Sequence, residues 1–306
     1  MNVAAFPLAF RSRNLINPIW PKCIFKYDRL KAEAGWREGT SAIRMQFDVD
    51  TLRSRMTGKK IGFPFHCLTE VDSTNRAAAK LAREGAPEGT MVLADRQIAG
   101  RGRLQRTWQS PPGCNLHLSV IFRPALAPPG LTQITLLAGV AVADAIAAVC
   151  PNGVAIKWPN DVLIRDRKVC GILAEAVMDG GGPSLIVGIG LNVNIRGEDF
   201  DPGHRDSATS LREETGRGHS REGMVVLLCE RLEEWYETFM KKGFTPIRDG
   251  WLARSAMAGR TVRVLFRDEV REGMMEGIDG DGMLLLADGR GEIHRIVAGD
   301  ATILKE

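Results

Sequence analysis

The sequence lacks the cysteine and histidine spacings that build disulfide frameworks or metal sites. Its six cysteines are scattered over 306 residues without a CxxC pair, and its five histidines form neither an HxxxH nor an HExxH motif. This pattern disfavours a disulfide scaffold, a thiolate zinc site and a histidine-based metal site. Reduced and packed thiols are typical of the cytoplasm, so we predict a cytoplasmic protein.

Long apolar runs and a large net charge are also absent from the sequence. The longest weakly charged stretch, 124–156, is interrupted by Asp144 and by prolines, whereas a membrane-spanning helix needs ~20 consecutive apolar residues. With 41 basic and 37 acidic side chains, the formal charge is only +4, which is too small to require a nucleic-acid partner. We therefore expect association with neither a membrane nor nucleic acid.

The common nucleotide-binding and nucleophile motifs are missing as well. There is no GxxxxGK[ST] segment, and in the segment that starts at Gly100 the third glycine of GxGxxG is replaced by Gln105. A P-loop and a dinucleotide-binding fold are therefore disfavoured. No Ser/His/Asp or Cys/His set is visible, which argues against a covalent protein intermediate.

The patterns that are present divide the chain into three parts. Residues 1–60 are interpreted as an N-terminal extension without a convincing helix-turn-helix, and order is predicted to begin near Gly62. Residues 61–256 mix apolar alternation with helical periodicity, and after Gly259 the period becomes two, which predicts a small β-barrel over 257–306. The predicted elements are strands at 63–71, 90–97, 115–122, 154–158, 168–177, 184–193, 262–266, 283–287 and 293–297, and helices at 77–83, 131–149, 220–240 and 247–255.

A loop dense in glycine and arginine follows the second strand. In Gly100-Arg101-Gly102-Arg103 the glycines permit a close backbone approach, and the guanidinium groups offer fixed hydrogen-bond donors to phosphate or carboxylate. Successive backbone amides can also form an anion-binding concavity. An anion site and a solvated basic turn both remain open from this motif alone.

A second polar segment, Lys157-Trp158-Pro159-Asn160-Asp161, brings together a cation, an aromatic ring, an amide and a carboxylate. Asp161 is a candidate ligand for Mg²⁺, which prefers oxygen donors. The segment also fits a simple turn between strands with Trp158 in the core. Lys168 enters an apolar strand, which is costly unless its ammonium meets an anion or extends to the surface.

Aromatic and glycine residues complete the set. Trp108 ends the arginine-rich loop, where its ring could stack on a purine or simply pack against the core. The segment 188–194 carries two glycines inside a strand, which permits something bulky to approach the backbone closely, and then ends with Asn192 and Asn194. The combined chemistry is charge neutralisation at a phosphate.

Six motifs in this order resemble those of the biotin protein ligases, the biotin–[acetyl-CoA-carboxylase] ligases. The resemblance covers about residues 60–305 and includes Lys168-Val169-Cys170-Gly171-Ile172-Leu173. The other five motifs are Val71-Asp72-Ser73-Thr74-Asn75, Asp95-Arg96-Gln97 with Ala99-Gly100-Arg101-Gly102-Arg103, Trp108-Gln109-Ser110-Pro111, Lys157-Trp158-Pro159-Asn160-Asp161 and Gly188-Ile189-Gly190-Leu191-Asn192-Val193-Asn194.

The resemblance implies an α+β fold. It implies a catalytic domain with a mixed β-sheet, similar to class II aminoacyl-tRNA synthetases, at 61–256 and a C-terminal SH3-like barrel at 257–306. The implied substrates are biotin and ATP with Mg²⁺, which give biotinyl-5′-AMP and pyrophosphate. The implied partner is the biotin carboxyl carrier protein of acetyl-CoA carboxylase, whose lysine then accepts biotin. The oligomeric state, including a homodimer, stays open.

The resemblance also implies roles for individual residues. Arg103 and Lys168 are expected to be catalytic, and Asp161 is expected to hold the magnesium ion. The expected biotin-binding residues are Ser73, Thr74, Asn75, Gln97, Gly100, Arg101, Arg103, Lys168 and Gly171. The expected ATP or adenylate contacts are Arg101, Arg103, Arg106, Trp108, Asn160 and Asn192.

One departure and three alternatives accompany this resemblance. The family loop commonly continues with a further glycine where Leu104-Gln105 stands here, which predicts a stiffer loop. A lipoate or octanoate ligase would use the same fold. A DNA-binding biotin sensor would explain the arginine cluster and the basic head, although residues 1–60 lack a paired-helix pattern. An adaptor that only docks an acidic partner is the third alternative.

Overall fold

A mixed seven-stranded sheet forms the larger part of the fold. The computed structural model describes residues 47–124, 130–179, 182–267 and 269–304, all within a unit that spans Ile43–Glu306. The strands of this sheet are β1 (Phe65–Val71), β2 (Met91–Gln97), β3 (Leu116–Phe122), β4 (Val154–Lys157), β5 (Asp161–Ile164), β6 (Arg167–Asp179) and β7 (Gly182–Leu191). Their spatial order is β1-β2-β3-β7-β6-β5-β4, with β1 and β2 parallel and the other neighbours antiparallel.

Helices cover both faces of this sheet. They are α1 (Val49–Met56), α2 (Thr74–Arg83), α3 (Gly130–Ala147), α4 (Leu211–Thr215), α5 (Arg221–Lys242) and α6 (Thr245–Leu252). On one face the ring of Phe122 in β3 packs edge-on against Tyr236 of α5. On the opposite face the Ser119 hydroxyl of β3 donates to Asn75 Oδ1 of α2 and lies 2.8 Å from the Thr74 hydroxyl of the same helix. Strand β3 is therefore buried on both sides.

The long helices follow the predicted apolar patterns. Helix α3 is buried on nearly every side, as its continuous apolar sequence predicts. Helix α5 begins at Ser220, whose hydroxyl caps the Gly223 amide at 3.1 Å, and it ends at Gly243, which has a φ of 71°. The amphipathic helix predicted at 220–240 is thus confirmed.

A helix precedes the residue at which the sequence predicts order to begin. Helix α1 lies before Gly62, the residue at which order was expected to begin. Asp48 caps the helix through the Thr51 amide, and Leu52 and Met56 are fully buried. The helix contacts α5. The prediction was wrong here because two apolar residues in one short helix give too weak a periodic signal.

A second, antiparallel sheet forms the C-terminal part. Its strands are β8 (Thr261–Phe266), β9 (Glu269–Ile278), β10 (Leu284–Ala287), β11 (Ile293–Ile296) and β12 (Asp300–Ile303). Their spatial order is β11-β10-β9-β8-β12. The predicted α+β fold with a small SH3-like C-terminal part is confirmed, although β9 and β12 were not predicted as strands.

Trp158 joins the two sheets. Its side chain is buried at 1% exposure, its indole Nε1 donates to the Gly282 carbonyl at 3.3 Å, and its backbone amide contacts the Met257 sulfur. The interpretation of Trp158 as a core residue is therefore confirmed. None of the helices described in this chain is both long and apolar enough to cross a membrane.

Candidate active site

A cavity of about 720 Å³ lies where the two sheets meet. Strand β6, the loop after β2, the β4–β5 turn and the segment after β7 all contribute to its wall. Of the residues that the sequence singled out, the following line it: Ser73, Thr74, Asn75, Gln97, Arg101, Arg103, Arg106, Trp108, Asn160, Asp161, Lys168, Gly171 and Asn192. Gly100 is not among the residues that line the cavity. A Cβ there would lie 2.8 Å from the Trp108 carbonyl, so its backbone packs against that of Trp108.

The arginine-rich loop closes on itself as a short hairpin. The Gly102 amide donates to the Arg106 carbonyl at 2.7 Å, and the Trp108 amide donates to the Gly100 carbonyl at 2.9 Å. At its tip, Leu104 and Gln105 adopt left-handed backbone angles, with φ of 53° and 60°. These are the two residues that the sequence analysis expected to stiffen the loop, and each left-handed non-glycine residue costs on the order of 1 kcal/mol.

The second sheet holds the loop arginines. The Arg103 guanidinium donates to the Gly299 carbonyl at 3.1 Å and lies 3.5 Å from an Asp300 carboxylate oxygen. Arg106 forms an ion pair with the other oxygen of Asp300, and Asn160 accepts a third contact from Arg103 at 3.3 Å. Burial lowers the pKa of Arg103 from its ordinary value, yet an arginine stays charged at neutral pH.

Lys168 meets an anion where its strand enters the core. Its ammonium lies 2.6 Å from Asp161, and Lys157 lies 3.5 Å from the other oxygen of the same carboxylate. Asp161 is only 14% exposed, so these charges interact in a poorly solvated place. Of the two alternatives that the sequence left open for Lys168, both are met in part, because its ammonium pairs with Asp161 while its side chain keeps 34% exposure.

Two paired glycines form the floor beneath Trp108. Gly171 of β6 and Gly190 of β7 are direct partners in the sheet. A Cβ at Gly171 would lie 2.9 Å from the indole, and one at Gly190 would lie 2.5 Å from it. The Lys168 ammonium lies 5.5 Å from the ring centroid, within the range of a cation–π interaction. The glycines thus let an aromatic ring lie against the sheet.

A network of hydrogen bonds holds the polar end of the cavity. Gln97 accepts from both the Thr74 amide, at 2.8 Å, and its hydroxyl, at 3.1 Å. Asn75 donates to Glu175 at 2.6 Å and accepts from Ser119 at 2.6 Å. Ser73 occupies the N-cap of α2 without a capping side-chain hydrogen bond.

Arg101 and Asn192 differ in how far their hydrogen-bonding groups are used. Arg101 lies 3.5 Å from Glu175, and its buried Nε has no hydrogen-bond partner within the part of the chain that is described. The Asn192 amide, by contrast, donates to the Thr209 carbonyl and accepts from Asn115. Arg101 therefore retains donor capacity for a ligand, whereas Asn192 supports the wall.

The sequence assigned no individual role to several residues at this site. Ser119 and Glu175 complete the polar network, Gln109 bonds to the segment after β7, and Asp300 arrives from the second sheet. Ser119 carried a usable signal, since it is a polar residue between apolar neighbours in the strand predicted at 115–122. Asp300 carried none, because nothing local relates it to the arginine-rich loop.

Comparisons with known proteins agree with this geometry. Residues 68–194 match the biotin/lipoate A/B protein ligase family, and residues 258–303 match the biotin protein ligase C-terminal domain. The bifunctional ligase/repressor BirA of Bacillus spizizenii is 40% identical over 233 residues, which cover 75% of this chain and 71% of that protein. The biotin–[acetyl-CoA-carboxylase] ligase of Paracoccus denitrificans is 37% identical over 225 residues, covering 72% of this chain and 92% of that protein.

A solved structure extends the similarity to three dimensions. The biotin protein ligase from Aquifex aeolicus, in complex with biotin and ATP, superposes with a TM-score of 0.70 at 31% identity. The match covers 79% of this chain and 99% of that one. Because the ordered motifs meet at one cavity and relatives of this identity align over most of their own length, the chain belongs to the biotin protein ligase family.

Proposed function

We propose that this protein attaches biotin to the biotin carboxyl carrier protein of acetyl-CoA carboxylase, using ATP and passing through biotinyl-5′-AMP. The observation that carries the proposal is the placing of Arg103 and Lys168 beside the same turn, Asn160-Asp161, on the wall of one cavity. Two negatively charged reactants must meet there, and fixed cations lower the repulsion between them.

In the first step, a biotin carboxylate oxygen attacks the α-phosphorus of ATP. A new oxygen–phosphorus bond forms, the bond to the bridging oxygen of the β-phosphate breaks, and pyrophosphate leaves. Arg101 and Arg103 bind the carboxylate and the α-phosphate, while Lys168 leaves Asp161 to stabilise the charge that develops between them. These groups touch reacting atoms, which is the basis for the catalytic role proposed for Arg103 and Lys168.

In the second step, the carrier lysine attacks the carbonyl carbon of biotinyl-5′-AMP. The amide bond forms, the carbon–oxygen bond of the mixed anhydride breaks, and AMP leaves while the amine loses a proton. No bond to the enzyme is needed in either step. Arg101 and Arg103 contact the same phosphate throughout, so the adenylate stays bound until the carrier arrives.

We place the biotin ring at the end of the cavity that carries the hydrogen-bond network. The ring system of biotin is uncharged, so it needs a mostly apolar pocket with a few well-placed hydrogen-bonding groups. Ser73, Thr74, Asn75 and Gln97 supply those groups. Gly100 and Gly171 act through Trp108, which lies close to the backbone at both positions, and the Trp108 ring covers the biotin ring system from the nucleotide side. The adenylate contacts proposed for Arg106 and Asn160 are supported by their places in the same wall, and Asn192 is proposed to shape that wall through its hydrogen bonds to Thr209 and Asn115.

Asp161 is the residue proposed to hold Mg²⁺. It offers one carboxylate beside two lysines, and within the described ranges it belongs to no group of three or more potential metal ligands. This donor set fits Mg²⁺ that arrives with ATP, because magnesium usually takes one or two carboxylates together with phosphate oxygens. When bound, Mg²⁺ would neutralise phosphate charge.

We propose different functions for the parts of the chain that contain the two sheets. Residues 61–256 are proposed as the biotin- and ATP-binding catalytic domain, and 257–306 as the domain that holds the arginine-rich loop through Asp300. The match of 258–303 to a biotin protein ligase C-terminal domain supports biotin over lipoate. The cysteines in the described ranges are free, which supports a reducing compartment such as the cytoplasm.

The direct test combines the purified chain with biotin, ATP, Mg²⁺ and a biotin carboxyl carrier domain. We expect the carrier to gain biotin, detected with streptavidin, and mass spectrometry to find biotinyl-5′-AMP before the carrier is added. Folded protein that labels no carrier would contradict the proposal. Pyrophosphate exchange with lipoate in place of biotin tests the related ligase activity.

A further inference from the structure

A buried ion pair lies at the base of the arginine-rich loop. The Arg221 guanidinium lies 2.6 Å from the Asp95 carboxylate, and the two side chains are 6% and 3% exposed. Asp95 belongs to β2, Arg221 lies in the first turn of α5, and neither residue lines the cavity. The cost of removing both charges from water offsets much of their attraction, so a buried pair by itself adds little to the stability of a fold. This pair therefore calls for another explanation.

The same carboxylate joins the two ends of the loop. Asp95 stands just before the loop, and its Oδ1 accepts a hydrogen bond from the amide of Gly113, just after the loop, at 3.2 Å. The Nη1 of Arg221 that binds Asp95 also donates to the Asn115 carbonyl at 3.3 Å. The chain from 96 to 112 thus leaves and rejoins the sheet at a point fixed by one carboxylate and one guanidinium nitrogen.

An aromatic ring shields this guanidinium from water. The Phe47 ring centroid lies 4.0 Å from Arg221 Cζ, within the range of a cation–π interaction, and Phe47 is itself buried. The tip of the loop is different, because Arg106 is 68% exposed where it pairs with Asp300. Water weakens the contacts at the tip but is excluded from those at the base. The base is therefore the firmer support of the loop.

The base is also close in sequence to the residues proposed to bind the substrates. Gln97 follows Asp95 by two residues, and its side chain contacts Thr74 at the polar end of the cavity. A displacement of the strand end would shift Gln97 and the loop arginines together. About 1 Å of displacement at a reacting centre can lower a rate about 10²-fold, even when its origin lies away from the chemistry.

We propose that Asp95 and Arg221 are positioning residues that fix the base of the arginine-rich loop, so that Gln97 and the loop arginines meet biotin and ATP in the geometry that adenylate formation needs. Neither residue touches a substrate, and the inference rests on the proposed function. The pair then serves activity and not the stability of the fold. These two properties can be measured separately.

The test replaces the pair with apolar side chains in the full chain, Asp95→Leu together with Arg221→Met. We expect the midpoint of urea unfolding to stay near that of the wild type or to rise, because no buried charge is left unpaired. The kcat/KM for biotin in pyrophosphate exchange should fall about 10- to 100-fold. In the ligand-free chain, trypsin should cleave after Arg101, Arg103 or Arg106 several times faster, with the cut sites found by mass spectrometry.

Two further variants separate the role of the pair from general effects of substitution. Arg221→Lys should keep the exchange rate within about threefold of the wild type, because both contacts come from one nitrogen and an ammonium also has several donors. Asp144→Leu together with Arg254→Met is the matched control. That pair lies at 2.7 Å between α3 and the segment after α6 and lines no part of the cavity. Its exchange rate and loop cleavage should equal those of the wild type.

The apolar Asp95 and Arg221 variant would overturn the proposal if its exchange and cleavage were those of the wild type. A urea midpoint clearly below that of the wild type would also overturn it, since the pair would then serve the fold. So would an Arg221→Lys chain as slow as the double variant, or equal loop cleavage in the Asp144 control. A wild-type chain without biotin-dependent exchange would instead contradict the proposed function, and the cleavage result would still decide whether the pair fixes the loop.

Discussion

The Lys168 ammonium lies 2.6 Å from the Asp161 carboxylate, on the wall of a cavity that also holds three arginines of a neighbouring loop. Before substrates arrive, Asp161 therefore neutralises a cation that would be costly to bury alone. Substrates bring two anions to the same place. Substrate binding must therefore break the ion pair between Lys168 and Asp161. Substitutions of these two residues are the first tests of the site.

Removing the ammonium should stop activation. We expect Lys168→Ala to abolish carrier labelling, a loss of at least about 10²-fold, because an electrostatic contact to the developing charge disappears. Lys168 is about one-third exposed, so the fold should survive. Pyrophosphate exchange and streptavidin detection measure the effect, and circular dichroism checks the fold. Unchanged turnover would remove the role proposed for Lys168.

A substitution of Asp161 distinguishes its proposed role in binding magnesium from its role as an ion-pair partner of Lys168 and Lys157. In Asp161→Asn we expect labelling to fall roughly 10- to 100-fold and the Mg²⁺ concentration for half-maximal rate to rise, because an amide binds the ion less well than a carboxylate. The measurement is a magnesium titration at saturating biotin and ATP. A lower rate with an unchanged magnesium requirement would mean that Asp161 serves only as a partner for Lys168 and Lys157.

A substitution of Asp300 tests whether its ion pairs fix the arginine-rich loop to the second sheet. In Asp300→Asn the ion pairs to Arg103 and Arg106 are lost, while the size of the side chain is kept. We expect a looser loop and a severalfold rise in biotinyl-5′-AMP released per carrier labelled, with less than about 1 kcal/mol lost from folding. Asp281→Asn is the control, since Asp281 pairs with Arg295 in the same sheet away from the loop. Equal release from both variants would contradict the prediction.

Strong periodic patterns were enough to predict much of the fold. Helix α5 and strand β3 carry regular apolar stripes, and both were predicted within a few residues. Strand β9 was missed because its sequence, EVREGMMEGI, is charged, contains two glycines and lies with one face in solvent. Such a strand is stabilised by its neighbours β8 and β10, which the local sequence does not reveal.

The site was predicted where motifs are local and missed where they are not. Lys168 was singled out because a lysine in an apolar strand needs an anion, and the structure supplies Asp161. Gln109 was named in a motif but given no role, and Glu175 was missed, because each looks like an ordinary polar residue until the fold brings its partners close. Contacts between distant segments depend on topology, which a single sequence carries only indirectly.

The glycine floor should be intolerant of a methyl group. In Gly190→Ala the new Cβ would lie 2.5 Å from the Trp108 indole, so the ring must move away from the sheet. We expect affinity for biotin and ATP to fall by about tenfold or more, measured by calorimetry. Gly277→Ala is the control, because a Cβ there meets nothing within 4 Å. Equal affinities in wild type and Gly190→Ala would show that Trp108 does not need this floor.

His117 should make folding sensitive to acid. It is 1% exposed, and burial, with a smaller effect of Arg221, lowers its pKa to about 3. The unfolded side chain has a pKa of about 6.5. Between these values the unfolded chain holds a proton that the folded chain does not, so stability falls as pH falls through this window. At pH 5 the loss from this residue is on the order of 2 kcal/mol.

The prediction is tested by comparing, for each variant, how much the free energy of unfolding falls between two pH values. Urea unfolding of His117→Phe at pH 7.5 and pH 5 should show a smaller loss on acidification than the wild type, by about 1–2 kcal/mol. His204→Gln is the control, because His204 is exposed and should leave the loss unchanged. Comparing the two pH values within each variant cancels any packing defect that phenylalanine introduces. The same loss in His117→Phe and wild type would mean that the buried ring accepts a proton more readily than its apolar surroundings imply.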